Sequence, residues 1–206
     1  MPPAVLERPR FRPGIPPEPV SRFTVEQYYE MVKHGIIDED DNVELLDGWV
    51  VPKMTKHRPH IYANEYLHAL LPNILPAGWS VFGQNPVTIG SSVPEPDIAV
   101  ARGTQEEFLK QRRDPTDSEV VLVIEIAEAS LYRDKGLKKR IYAEGGVAFY
   151  WIVNLKNRRV EVYSEPTGPA KKPDYRKRQD FAPGDSVPVV LDRREVGRIA
   201  VSKLIP

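Results

Sequence analysis

Between Val120 and Asn154 the chain changes its hydrophobic period twice. Val120 to Ala127 reads VVLVIEIA, apolar and β-branched with one exception, which is the pattern of a strand buried on both faces. From Asp134 the period becomes helical. Asp134, Lys138 and Tyr142 recur every four residues, so a helix stacks them on one face. Gly145-Gly146 gives that helix a stop, and Ala148 to Val153 returns to aromatic and β-branched residues, a second buried strand. Strand, helix and strand in so few residues predict a βαβ unit with a right-handed crossover.

The flanks fill in a sheet around this unit. Thr24 with Gln27 fits a capping box, followed by an apolar stripe of Val25, Tyr28, Tyr29 and Val32 and a stop at Gly35. Val43 to Lys53 reads VELLDGWVVPK, two short β segments about Asp47-Gly48, a strong hairpin signal. A helical stretch runs from His60 to Leu71, and Trp79 to Ile89 reads as a strand ending near Gln84-Asn85-Pro86-Val87. Pro94-Glu95-Pro96-Asp97 is a stiff entry into the short apolar strand Ile98-Ala99-Val100. Gln105 to Asp117 suits a short helix and a loop. Arg159 to Tyr163, Tyr175 to Phe181 and Ser186 to Leu191 suit strands, and Val196 to Val201 is a last apolar segment. The expected fold is α/β (α+β): a mixed sheet core flanked by helices, with extra β-hairpins at both ends. Residues 1–21 hold seven prolines and read as a flexible leader; residues 22–206 read as one domain. Arg8, Arg10 and Arg12 in the leader fit a solvated tail, or an arm that touches phosphates.

Composition narrows the function classes. The 206 residues carry 29 basic and 29 acidic side chains, which argues against a uniformly basic nucleic-acid coat protein and leaves a local basic groove open. There is no cysteine, so disulfides, thiolate zinc sites and cysteine nucleophiles are excluded. No apolar run reaches membrane-spanning length and no signal-peptide core is present, so the expected compartment is the cytoplasm and no membrane partner is expected.

Two acids stand out of place. Asp97 opens one strand and Glu125 interrupts the apolar run of the next, and strands adjacent in sequence are usually adjacent in a sheet. Two carboxylates brought together repel, and one takes up a proton unless a cation lies between them. A hard divalent ion such as magnesium suits such oxygens. Lys138, from the helix that follows, would help deprotonate a metal-bound water or stabilise charge on a phosphate. Glu44 in the first hairpin is a further candidate for the rim of this pocket, through a bound water or as an outer ligand, with a salt bridge to a basic side chain as the alternative. His57 and His60, three apart, have the spacing of a zinc pair, but no third ligand is evident. Each residue also has an ordinary structural reading: Asp97 as a turn cap, Glu125 in a metal-free pair with Lys138 or another cation, and Asp134–Lys138–Tyr142 as an exposed helix face.

Pro96-Asp97 followed by a glutamate in a buried strand resembles the PD-(D/E)XK nuclease superfamily. A longer series of ordered motifs is similar to the Uma2 family of putative restriction endonucleases. It comprises Thr24, Val43 to Gly48, His60, Gln84 and Pro86, Glu95 to Val100, Glu125, Asp134, Lys138, Tyr142, Gly146-Val147 and Tyr150 to Val153, over residues 22–204. The resemblance implies a restriction-endonuclease-like fold and an endonuclease that hydrolyses DNA. Asp97 and Glu125 would hold Mg2+, with Mn2+ as a substitute, and a lysine would assist the water. The superfamily lysine usually lies two residues after the glutamate, where this chain has Ala127. The family supplies it from the helix, which points to Lys138; Lys135 and Lys139 are rivals. Glu128 stands where relatives often have Ser or Asp, and Asn154 where many have Asp. A catalytically silent nuclease-like module that binds nucleic acid or a protein partner is the alternative, and a homodimer is left open.

Overall fold

The computed structural model describes residues 20–38 and 40–205; apart from Val20 and Ser21, the leader with its three arginines lies outside these. In chain order the elements are α1 (Val25–Lys33), β1 (Val43–Leu46), β2 (Trp49–Pro52), α2 (Arg58–Ile74), β3 (Trp79–Gly83), β4 (Ile98–Arg102), α3 (Gln105–Gln111) and β5 (Val120–Ala127). Then come α4 (Leu131–Arg133), a π turn (Asp134–Lys138), α5 (Lys139–Glu144), β6 (Phe149–Asn154), β7 (Arg159–Pro166), β8 (Tyr175–Phe181), β9 (Ser186–Leu191), β10 (Arg194–Ala200) and α6 (Val201–Leu204).

Strands β3 to β8 form one mixed sheet in chain order. Only β5 and β6 run parallel, as the βαβ reading requires; the other neighbours are antiparallel. β1–β2 and β9–β10 are separate two-stranded hairpins, so the expected extra hairpins flank the sheet at both ends of the chain. The β1–β2 turn has positive φ at both Asp47 and Gly48, the backbone that an Asp-Gly pair adopts readily. The Thr24–Gln27 capping box is present, and Gly35 takes a left-handed φ just beyond α1.

Alternation along β5 divides the core. Leu122, Ile124 and Ile126 face one side, with Leu67 and Leu71 of α2, Val187 and Val189 of β9 and Leu204 of α6. Val123 and Ala127 face the other, with Ile141 and Tyr142 of α5, Leu46 of β1 and Phe108 of α3. Glu125 shares that second face by the same alternation.

Two expectations are refined. β3 ends at Gly83, one residue before the expected end at Gln84-Asn85-Pro86-Val87, because Gln84 takes a φ of 54° and turns the chain; Thr88 and Ile89 make only isolated bridges. The helix after β5 is not uniform. Lys139 N donates to Asp134 O, which widens one turn, and the Tyr150 hydroxyl donates to the same carbonyl. Such π turns are often found at functional sites. No helix among the described residues is long and apolar enough to cross a membrane.

Candidate active site

The β4–β5 register pairs Ile98 with Ile124. Carried one residue further it sets Asp97 opposite Glu125, and residues directly opposite in an antiparallel pair share a face. Both carboxylates line a small cleft of about 60 Å³, together with Glu44, His57, His60, Asp134 and Lys138. The expected group thus lies in one place, and of the candidates Asp97, Glu125, Lys138 and Glu44 none is left outside it.

Lys138 is the hub. Its Nζ lies 3.0 Å from Glu125 Oε1 and 3.1 Å from Glu44 Oε2. The Tyr142 hydroxyl donates to the same Glu125 oxygen at 2.8 Å. Lys135 and Lys139 turn elsewhere, to Glu161 and Asp174 at 2.7 and 2.8 Å. Glu44, on β1, also accepts from the Glu95 amide at 3.2 Å and lies 3.5 Å from Arg133 Nη1. It therefore stands at the cleft and in salt bridges at once, so the two readings of Glu44 do not exclude each other.

Asp97 Oδ2 accepts from the Ile126 amide at 2.8 Å and meets His60 Nε2 at 3.0 Å. His60 is buried on α2 and its Nδ1 has no partner. His57, by contrast, is exposed at the start of the same helix. The sequence marked His60 only by position; its contact with Asp97 depends on how α2 crosses the sheet.

Asp134 completes the cluster. Its side chain is 1% exposed, it lines the cleft, and its Oδ2 is buried without a partner. The Asp134–Lys138–Tyr142 row is therefore buried rather than an exposed helix face, because the widened turn sets Asp134 and Lys138 against the sheet.

The electrostatics follow from crowding. Glu44, Asp97, Glu125 and Asp134 are all buried at one cleft. Burial pushes the Glu125 carboxyl up to about 8, against the pull of Lys138. Burial also lifts Asp134 to about 6. Burial works to lower Lys138, but Glu125, Glu44 and Asp134 together raise it above an ordinary lysine, so it stays an ammonium. Burial and the charge on Glu125 hold the Tyr142 hydroxyl well above its usual range.

The four buried carboxyl groups suit a hard cation: they outnumber the buried Lys138 ammonium, and the buried Asp134 Oδ2 has no hydrogen-bond partner. Among the described residues no group of three or more His, Asp or Glu side chains is arranged to hold a metal ion by itself. An ion here would fill its shell with water and main-chain oxygen, which magnesium tolerates.

Comparison with known proteins agrees with this architecture. Residues 25–196 match the model of a family described as Uma2, putative restriction endonuclease. A crystal structure of a putative nuclease belonging to DUF820 from Anabaena variabilis ATCC 29413 is similar in fold, with a TM-score of 0.65. The two are 15% identical over 88% of this chain and 97% of that one, a likeness that establishes the fold alone. No curated protein matches.

Proposed function

The chain belongs to the Uma2 family of putative restriction endonucleases, and from that premise we propose that it is a metal-dependent endonuclease acting on DNA in the cytoplasm. The observation that carries this reading is the cleft at the start of β4 and the end of β5, where Asp97 and Glu125 line one wall with the Lys138 ammonium on Glu125 and an unpartnered Asp134 oxygen beside them. Asp97 and Glu125 would hold the ion, Mg2+ or in its place Mn2+. When bound, such an ion supplies a more acidic water and a positive charge for the phosphate oxygens.

The chain's own residues do the rest. Lys138 keeps its proton, so it acts as a positive charge and hydrogen-bond donor rather than as a base. It is positioned by Glu44 and Glu125 on two different strands, which fixes the ammonium at the cleft. His60 and the Ile126 amide both take Asp97 Oδ2, which orients the carboxylate and leaves Oδ1 for the ion. The net reaction adds water across a phosphodiester and leaves a phosphate monoester and an alcohol.

The test is incubation of the full chain with supercoiled plasmid DNA in Mg2+, in Mn2+ and in EDTA. Nicked or linear product with either ion and none in EDTA is expected, and Asp97→Asn should remove it. An intact plasmid in every condition would overturn the enzyme reading. DNA retained without cleavage would then identify a silent nucleic-acid-binding module.

A further inference from the structure

The cations of the cleft differ in whether they are free. Lys53 is held by Glu95 at 2.6 Å, Arg133 by the Pro52 carbonyl at 2.8 Å and by Glu44, and Lys138 by Glu44 and Glu125. His60 is held by Asp97. Lys56 and His57 also line the cleft, yet both are exposed, and their side chains make no ion pair or hydrogen bond among the described residues. Arg58, next in sequence, is exposed in the same way. Lys56 and His57 therefore form a free lip on a cleft whose lining also includes Glu44, Glu95, Asp97, Glu125, Glu128 and Asp134, and Arg58, the first residue of α2, continues that basic run just outside the lining.

A polyanion approaching that lining meets net repulsion. The cations already paired inside do little to offset it, because their fields are spent on their own carboxylates. Only unpaired charge at the edge attracts a phosphate from solution. The lip also begins α2, whose first turn carries no acidic residue, so the helix dipole reinforces its positive charge. Other free basic pairs, Lys171-Lys172 and Arg193-Arg194, do not line this cleft.

We propose that the Lys56-His57-Arg58 lip grips the phosphate backbone of duplex DNA beside the cleft. The proposal rests on the nuclease reading above and names the surface that brings the substrate to it. Contacts of this kind are read through salt, since each neutralised phosphate steepens the fall of log affinity with log salt by about 0.9.

The experiment measures anisotropy of a short labelled DNA duplex titrated with the full chain in EDTA, across a series of NaCl concentrations. Chemistry is then silent and binding is read alone. Replacing Lys56, His57 and Arg58 together by glutamine should weaken binding at least about tenfold at low salt and reduce the slope by about 2, for the two residues always charged. Lys171→Gln with Lys172→Gln, an equal change of permanent charge, should leave the slope unaltered. Both variants touch exposed, unpaired side chains, so a melting temperature equal to the parent's checks the fold. A triple variant with the parent slope, a control that loses as much, or a parent that does not bind DNA would each overturn the proposal. So would clear preference for an RNA duplex of the same sequence. The nuclease reading fails separately: lip-dependent binding with an uncut plasmid in Mg2+ and Mn2+ leaves the lip assignment standing and removes the cleavage.

Discussion

Two buried glutamates lie in one row of the sheet and meet opposite fates. Glu125 on β5 pairs in register with Ile152 on β6, and Ile152 pairs in turn with Glu161 on β7. The π turn above supplies each with a lysine, Lys138 to Glu125 and Lys135 to Glu161. Glu161 is also bonded by Asn154 at 2.7 Å and Tyr163 at 2.8 Å, and lies 3.2 Å from Arg178. Burial works to raise its pKa, but Lys135, Asn154 and Tyr163 hold it below the usual carboxylate range. Glu125 instead has acids for neighbours, and its carboxyl rises to about 8. The same residue type, strand environment and overlying turn thus give one closed site and one unfinished one. Closure suits structure; surplus negative charge with an unbound oxygen suits a ligand.

The sharpest way to break this comparison is through cleavage. Glu125→Gln and Lys138→Met should each lower the rate by on the order of 10²–10³-fold, since each removes charge placed where it develops in the reaction. Glu161→Gln, measured well below its melting temperature, should lose less than about tenfold, as it acts only through the π turn. Equal losses in initial-rate assays would erase the distinction between the two glutamates.

Stability should run the other way. Glu161→Ala leaves Lys135, Asn154, Tyr163 and Arg178 around an empty place, and breaking a buried network of this kind costs about 3–5 kcal/mol. Denaturant unfolding in EDTA should show that loss. Above about pH 8, where Glu125 is ionised, Glu125→Gln removes one of the crowded charges and should leave the metal-free protein as stable as the parent or about 1 kcal/mol more so. A Glu125→Gln chain as unstable as Glu161→Ala would make Glu125 an ordinary ion-pair member.

The two sites also predict opposite pH limbs. Unfolded carboxyls release their protons near 4, whereas folded Glu125 and Asp134 hold theirs up to about 8 and about 6. The folded state therefore binds more protons between those limits, and the stability these groups contribute is full below about 4 and lost as pH rises through about 6 and then about 8. Glu161, held low, contributes above the unfolded value and loses its share only as pH falls through its own folded pKa. The metal-free melting temperature should thus fall by several degrees between about pH 5 and pH 8.5, at roughly 2–4 °C per kcal/mol for a chain of this size. Magnesium binds the deprotonated form, so it should reverse that fall. A flat neutral limb, or one unchanged in Glu125→Gln, would contradict the assignment.

The same contrast explains what the sequence revealed. Glu125 is legible because it is the one acid in an apolar octet, and Val120–Ala127 is a strand over the residues read. Glu161 is not, because Arg159 and Ser164 make its strand look half-exposed; its burial comes from β8 and the π turn, neither of them local in sequence, with Tyr163 two residues on adding a hydrogen bond. The Asp134–Lys138–Tyr142 row was visible as a spacing, but not the widened turn, whose Asp134 carbonyl accepts from the distant Tyr150 hydroxyl. His60 shows the same limit: its partner Asp97 is 37 residues away.

The smallest expected effect is at Glu44, which sits between the two patterns. Like Glu161 it is well supplied with partners: Lys138 at 3.1 Å, the Glu95 amide at 3.2 Å and Arg133 at 3.5 Å. Like Glu125 it lines the cleft and adds negative charge to it. Its distance from the ion decides which pattern governs. If Glu44 acts on the cation through the field or through a bound water, Glu44→Gln lowers magnesium affinity by about tenfold, the range for residues one shell out. The fold should persist, because glutamine fills the same space and keeps an oxygen for Lys138 and the Glu95 amide. Isothermal titration of magnesium into parent and variant reads this directly, without DNA. A variant with the parent's affinity and a lower melting temperature would place Glu44 with Glu161, as an anchor for Lys138 and Arg133 rather than part of the ion's surroundings.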